Sequence, residues 1–497
     1  MESLGLLMTG FATALQPTNL VFALIGCFVG TLVGVVPGFG PAAAIAILIP
    51  LTFTLDPTPA IIMLAAIYYG AMYGGTITSV LINTPGEAAS AITCVEGYAM
   101  AKSGRAGSAL AIAAIGSFVG GTVSTMGLVL VALPLASVAL KFGPPEFFSL
   151  MILGLSLVTG LVGRSLVRAL ISAVLGLVIA MVGIDSVMGV SRFTFGMAEL
   201  FDGFNIVPMV MGIFGVAEIF ITVEASLRPM SASKVSTLIP SLKDLKDSTL
   251  PIVRGTGVGF FLGLIPGVGA IIPTFVSYVM EKRLSKTPEK FGTGMIQGVA
   301  GPETANNAYA TAALIPLFTL GIPGSPVTAI LMGAFMMNGL IPGPFLFTEH
   351  PEFAWAVIAS LYVGNIMLVM LNLPFIPLWV AILKIPTSIL QALILGFCVM
   401  GSYSLSNSVF EVGVMLVFGI IGYMFRKLDI PLVPLALTLI LGPLLERALR
   451  QSLEMSGGDF TIFFTRPISV TLLVIAVIFV ISTNFRVFAK VKGETEF

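Results

Sequence analysis

Apolar residues run through this chain in blocks too long for one face of a soluble helix, and the polar positions between them are few. Blocks near Asn19–Val36, Ala42–Leu55, Pro59–Ala101, Ser108–Leu140, Glu146–Val162, Leu166–Val182 and Asn205–Leu227 predict a series of membrane-embedded helices. Polar sequence then takes over from Arg228 to Leu250, with K-D-L-K inside it, and reads as a connector before a second apolar series begins. The block Ala42–Leu55 is shorter than the roughly 20 residues a span needs, so with Asn19–Val36 it reads as a re-entrant hairpin. Its turn is G-V-V-P-G-F-G, Gly34 to Gly40, and the same turn returns as G-L-I-P-G-V-G, Gly263 to Gly269. Proline removes a backbone donor and glycine tolerates any φ, so neither turn continues a helix. Hydrocarbon cannot hydrogen-bond freed backbone groups; such breaks survive at membrane depth only packed in protein or lining a wet cavity.

The second turn is part of a larger recurrence. Gly26, Gly30, Gly34, Pro37, Gly38 and Gly40 reappear in register as Gly255, Gly259, Gly263, Pro266, Gly267 and Gly269. Further on, N-T-P-G-E at Asn83 to Glu87 is matched by G-I-P-G-S at Gly321 to Ser325. This predicts two homologous halves: residues 1–227 (hairpin 19–55, broken helix 59–101) and 251–450 (hairpin 252–280, broken helix 291–338). The connector 228–250 joins them, and 451–497 adds a terminal span, Pro467–Thr483, and a tail.

Composition fixes the class. At 57% hydrophobic and 10% charged, the 497 residues lie far outside a soluble domain's apolar share of about 45–50%, and the mean hydropathy is +1.06. A net charge of +0 gives no basic footprint for nucleic acid. Three separated cysteines, Cys27, Cys94 and Cys398, read as packing thiols, and Met1 to Thr18 lacks the basic start of a cleaved signal peptide.

Lys and Arg placement orients the halves, because both accumulate in short cytoplasmic loops. The Phe53–Pro59 loop is base-free, whereas its counterpart carries Lys282, Arg283, Lys286 and Lys290. Lys102 and Arg105 stand against the base-free Asn338–Glu352, and Arg164 and Arg168 against the base-free Gly401–Glu411. Arg192 against Arg426 and Lys427 adds little, and Lys141 against Lys384 none. Equivalent loops therefore fall on opposite sides. The fold class predicted is an all-α polytopic membrane protein of two inverted-topology repeats with re-entrant hairpins and broken helices, plus a C-terminal transmembrane helix. The N-terminus is placed outside and Arg486–Lys492 inside, and inverted repeats with discontinuous helices are an architecture of secondary transporters.

Four interrupted helices offer free N–H groups and about half a positive charge at each tip, which suits a carboxylate. Candidate substrate contacts are Pro37, Gly38 and Gly40; Asn83, Thr84, Pro85 and Gly86; Pro266, Gly267 and Gly269; and Gly321, Pro323, Gly324 and Ser325. Carbonyl, Asn and carboxylate oxygens nearby suit Na+ or H+, and the candidates are Thr76, Asn83, Glu87, Glu303, Asn306, Asn307 and Thr319. Glu96 reads as interfacial, Tyr68, Tyr69 and Tyr73 as packing aromatics, and the lone His350 as part of a solvated loop. No catalytic set, P-loop or metal cluster is recognised, so neither an enzyme nor a metal site is predicted; a channel-like anion pore remains the main rival to a carrier, a multispanning enzyme a weaker one.

Two long stretches carry a family likeness. Y-Y-G-A-M-Y-G-G-T (Tyr68 to Thr76) running into L-I-N-T-P-G-E, and G-V-A-G-P-E-T-A-N-N-A (Gly298 to Ala308) running into T-L-G-I-P-G-S (Thr319 to Ser325), together with the paired breaks, resemble the TctA family. These are the large membrane subunits of bacterial tripartite tricarboxylate transporters. The resemblance implies ion-gradient-driven uptake of a small di- or tricarboxylate or related acid across the bacterial inner membrane, with no cofactor beyond Na+ or H+ as coupling ion. It implies two partners, a small TctB-like membrane subunit and a TctC-like periplasmic solute-binding protein, and leaves a homodimer open. By analogy to other inverted-repeat carriers, the hairpins and broken helices would move against a scaffold of Ser108–Leu140 and Phe353–Lys384.

Overall fold

The computed structural model describes residues 2–36, 39–161, 165–185, 188–225, 238–382 and 387–494. Pro37, Gly38, Arg164, Lys384 and positions 226–237, which take in the first part of the connector, all used above, lie outside the described residues. The described residues are almost wholly helical; their one strand pairing is the short ladder of Gly183–Ile184 with Ser191–Arg192. Seven helical stretches among them are long and apolar enough to cross a membrane: Pro17–Val35, Pro57–Ile82, Ala106–Ala139, Ile206–Glu224, Pro351–Asn372, Val409–Lys427 and Leu432–Met455. The chain is an all-α polytopic membrane protein.

The first series opens with α1 (Glu2–Ala14) and α2 (Pro17–Val35), which stops where the first Pro-Gly turn begins. After the turn come the short α3 (Pro41–Leu48), a 3-10 turn (Ile49–Thr54) and α4 (Pro57–Ile82). The hydrophobic stretch of α4 is entirely buried inside the protein. Asn83 ends α4 in the left-handed conformation, φ 55°, and the chain then passes through T-P-G-E to α5 (Thr93–Lys102). Next are α6 (Ala106–Ala139), α7 (Pro144–Leu161), α8 (Leu166–Ala180), α9 (Ile206–Val210), a six-residue π-helical segment (Met211–Val216) and α10 (Ala217–Ala225).

The second series starts earlier than the apolar pattern suggests. α11 (Leu242–Gly263) takes in K-D-L-K because Ser241 and Asp244 form a reciprocal capping box at its N-terminus, satisfying donors a helix start leaves open. α12 (Ile271–Leu284), α13 (Gln297–Ala312), α14 (Leu314–Leu320) and α15 (Pro326–Met337) follow. Gly321 ends α14 with φ 68°, the same left-handed cap that Asn83 gives α4 at the matching motif position. Then come α16 (Phe345–Glu349), α17 (Pro351–Asn372), α18 (Ile376–Ile382), α19 (Thr387–Ser406), α20 (Val409–Lys427), α21 (Leu432–Met455), α22 (Ile462–Thr465) and α23 (Pro467–Glu494).

The repeated glycines have a packing cause. A Cβ at Gly26, Gly30 or Gly34 would strike the carbonyls of Met63, Ile67 and Ala71, so these positions let the α2 and α4 backbones touch. Gly255 and Gly259 do the same against Gly301 and Ala305, and Gly263 against Ala312, seating α11 on α13. Small residues four apart suit lipid-embedded helices, which gain association energy from close van der Waals contact because the solvent is already apolar. The long helices then cross over: α6 lies against α11 and α13, and α17 against α2 and α4. α8 packs on α21, as α20 packs on the π segment.

Candidate functional site

Each break is held by local contacts that leave its tip exposed to a common space. Gly86 presses on the Gly34 carbonyl, where a Cβ would overlap it. Likewise the Gly267 amide, at φ 87°, donates to the Gly324 carbonyl at 2.8 Å. The hairpin turns thus lie against the breaks of the helices that follow them. All four interrupted stretches then contribute to the wall of one cavity of about 610 Å3: Gly40 and Pro41, Glu87 to Ala89, Val268 to Ala270, and Ser325 to Val327. Tyr68, Met72, Phe214, Tyr309, Arg426 and the α20–α21 turn complete it. The N-termini of α3, α12 and α15 therefore meet around one space; Pro41 and Pro326 open α3 and α15 without an N–H and Ser325 takes the Thr328 amide, while the amides of Ala42, Ala43 and Val327 have no acceptor within their own helix.

The residues singled out in sequence are distributed unevenly around this space. Gly40, Gly269 and Ser325 line it, but the Ser325 hydroxyl and amide are engaged with Thr328 in a reciprocal cap of α15. Pro266, Gly267, Gly321, Pro323 and Gly324 shape the turns behind the lining. Asn83 is exposed and Thr84 and Pro85 are half-buried; none of the three belongs to the wall. Thr319 spends its hydroxyl on the Ile315 carbonyl at 2.7 Å, one turn back in α14. Pro37 and Gly38 fall outside the described residues.

A polar cluster that reaches the cavity wall at Glu87 joins the two series. Glu303 on α13 is buried, with its carboxylate accepting the Thr76 hydroxyl of α4 at 2.5 Å and the Thr93 hydroxyl of α5. Glu87 caps the turn after the first T-P-G-E: the Ala89 amide donates to it at 2.8 Å and the Asn306 amide group at 3.1 Å. Asn307 donates to the Ser117 hydroxyl of α6 at 2.7 Å and to the Glu303 carbonyl at 3.2 Å. Among the described residues no Lys, Arg or His forms an ion pair with Glu87 or Glu303. The side-chain oxygens of Asn306 and Asn307 are buried without any donor. A buried acceptor left unmade costs about 1–3 kcal/mol, so two of them next to two carboxylates mark a place where a cation or proton would be stabilised.

Sequence reading passed over several contributors. Tyr68 and Tyr309 line the cavity with buried hydroxyls that complete no hydrogen bond of good geometry, Tyr68 lying near Ser325 and Tyr309 near the Gly269 backbone, which packing aromatics do not require. Tyr309 directly follows the motif that holds Glu303 and Asn306, a signal that could have found it. Thr93 and Ser117 lie in apolar surroundings and carry no spacing that singles them out. Glu96 is fully buried, and the amides of Gly292, Gly294 and Met295 and the Tyr278 hydroxyl all donate to it. It clasps α5 to the loop ahead of α13. His350 is exposed, as a loop residue should be.

A polytopic helical protein whose interrupted helices gather their ends around one internal cavity has the construction of a membrane transport protein. The chain belongs to the tripartite tricarboxylate transporter TctA family, whose model matches residues 20–437, and it is therefore a component of that kind of transporter. It is similar to the "Uncharacterized 52.8 kDa protein in TAR-I ttuC' 3'region" of Agrobacterium vitis, 48% identical over 476 residues, which are 96% of this chain and 95% of that one. An "Uncharacterized protein in TAR-II ttuC' 3'region" of the same organism is 48% identical over 223 residues, 45% of this chain and 92% of its own length. No solved structure matches the chain.

Proposed function

We propose that this chain is the translocating subunit of an ion-driven importer, holding a small organic carboxylate in the cavity where the interrupted helices meet. The observation that carries the reading is the meeting itself: three helix N-termini and two unpartnered tyrosine hydroxyls around about 610 Å3 supply donors and positive dipole ends. Glu87, Glu303 and the free oxygens of Asn306 and Asn307 are the coupling-ion site, with Na+ or H+ as the cargo, because hard oxygens without a cationic neighbour suit either. The two halves, 1–227 and 251–450, are inverted copies in the bacterial inner membrane, with the N-terminus periplasmic and the C-terminus cytoplasmic. The matching pairs α2 on α4 and α11 on α13, and the crossed packing of α6 and α17, support that arrangement. A periplasmic binding protein delivers the substrate, and a small membrane subunit completes the complex. Net uptake is carrier catalysis and not enzyme chemistry.

The test is uptake of labelled citrate and succinate by proteoliposomes containing this chain with its partner subunits, scanned over Na+ and pH gradients. Saturable uptake that requires a gradient is expected. Uptake that rises linearly with concentration and ignores every gradient overturns the carrier reading in favour of a pore.

A further inference from the structure

Among the described residues Arg426 is the single Lys or Arg that walls the cavity, which the N-termini of α3, α12 and α15 also line. Its guanidinium Nη2 lies 2.6 Å from Oε2 of Glu218, an ion pair in which Glu218 is nearly buried and Arg426 is 41% exposed. A guanidinium offers five N–H donors in a planar fork, so one carboxylate oxygen does not use its capacity. Glu218 is placed by an unusual backbone: it follows directly on the π segment Met211–Val216 and Ala217, and a wider turn there rotates every later side chain relative to a continuous α-helix.

Other contacts join the same helices. The Gly212 and Gly422 backbones already touch α20 and the π segment, against Met415 and Ile213, and Lys427 and Tyr423 both bind Glu224 further along. The guanidinium of this ion pair is on the cavity wall, where a substrate carboxylate can compete for it.

We propose that Arg426 is a specificity-determining residue that binds a carboxylate of the substrate, and that Glu218 is its competitor, holding the guanidinium when the cavity is empty and reclaiming it at release. The inference rests on the carrier reading above and extends it: helix amides take one carboxylate of the substrate and Arg426 a second. No bond is made or broken; one salt bridge is exchanged for another.

The two partners should then respond in opposite directions. In proteoliposomes carrying the complete transporter, Arg426→Gln is expected to raise KM for labelled citrate and succinate about tenfold, the worth of a charge-assisted hydrogen bond, with the maximal rate retained. Arg426→Lys restores part of the loss, because it keeps the charge and loses the fork. Glu218→Gln should lower KM and slow the maximal rate, since nothing then competes for Arg426. Labelled acetate uptake should be indifferent to all three. If wild-type uptake is saturable and Arg426→Gln leaves KM for citrate and succinate unchanged, or if Glu218→Gln raises KM as Arg426→Gln does, the pair is structural and the inference is overturned. Absence of saturable wild-type uptake of both acids overturns the carrier reading instead, and this inference with it.

Discussion

Glu303 shows what a single buried carboxylate can be asked to do in a chain that spans a membrane. It has two hydroxyl donors, Thr76 and Thr93, and no cation beside it among the described residues. An ionised side chain at membrane depth costs on the order of 2.5–3.5 kcal/mol even on insertion scales, so its retention points to use. Glu303→Gln keeps the shape and removes the charge; substrate binding should survive while stimulation of uptake by the ion gradient disappears, as read by initial rates with and without the gradient. Tyr309 gives a second residue-scale expectation. Its hydroxyl is buried on the cavity wall without a partner, whereas Asn83 is exposed and off the wall. Tyr309→Phe should therefore weaken apparent affinity about fivefold, one neutral hydrogen bond, and Asn83→Ala by less. Sequence alone favoured Asn83 because it sits in the break. It could not show that Asn83 is exposed and off the wall, nor that a tyrosine six residues beyond Glu303 on the same helix lines the cavity.

At the scale of elements, the interruptions were legible and their partners were not. Pro and Gly announce that α2, α4, α11 and α14 must stop, and these helices end at Val35, Ile82, Gly263 and Leu320, beside those residues. What pattern cannot convey is which backbone lies against which. Gly86 is needed because the Gly34 carbonyl occupies the space of a Cβ, a contact between turns about fifty positions apart that no local propensity records. Gly86→Ala should therefore cost about 1–3 kcal/mol through overpacking and lower the melting temperature of the detergent-purified protein. Gly40→Ala is the control: its φ is −73° and nothing lies within 4 Å of the added methyl, so the melting temperature should hold. The early start of α11 has the same lesson in reverse. Its first turn is polar and was read as connector, although S-L-K-D already spelled the capping box.

For the whole molecule, hydropathy sufficed to establish a polytopic helical protein, and the internal recurrence to suggest two halves. The cavity was not foreseeable in its details, because it is assembled from α3, α12, α15, α20 and the turn after α4, segments spread over most of the chain. Arg426 illustrates the loss: in sequence it is a loop charge that adds little to the side rule, and only the fold puts it on the wall. The inverted arrangement makes a prediction at this scale. A cysteine placed at Thr54 should react with a membrane-impermeant maleimide in intact spheroplasts, and one at Lys286 only after permeabilisation; labelling of both from the same side would remove the inversion.

The central claim is that the ends of the interrupted helices enclose the substrate. A density map of the complete transporter determined with citrate, and with succinate, tests it most directly. The account predicts ligand density among Pro41, Ala270, Ser325, Tyr68 and Tyr309, and ligand density against another surface with this cavity empty would contradict it.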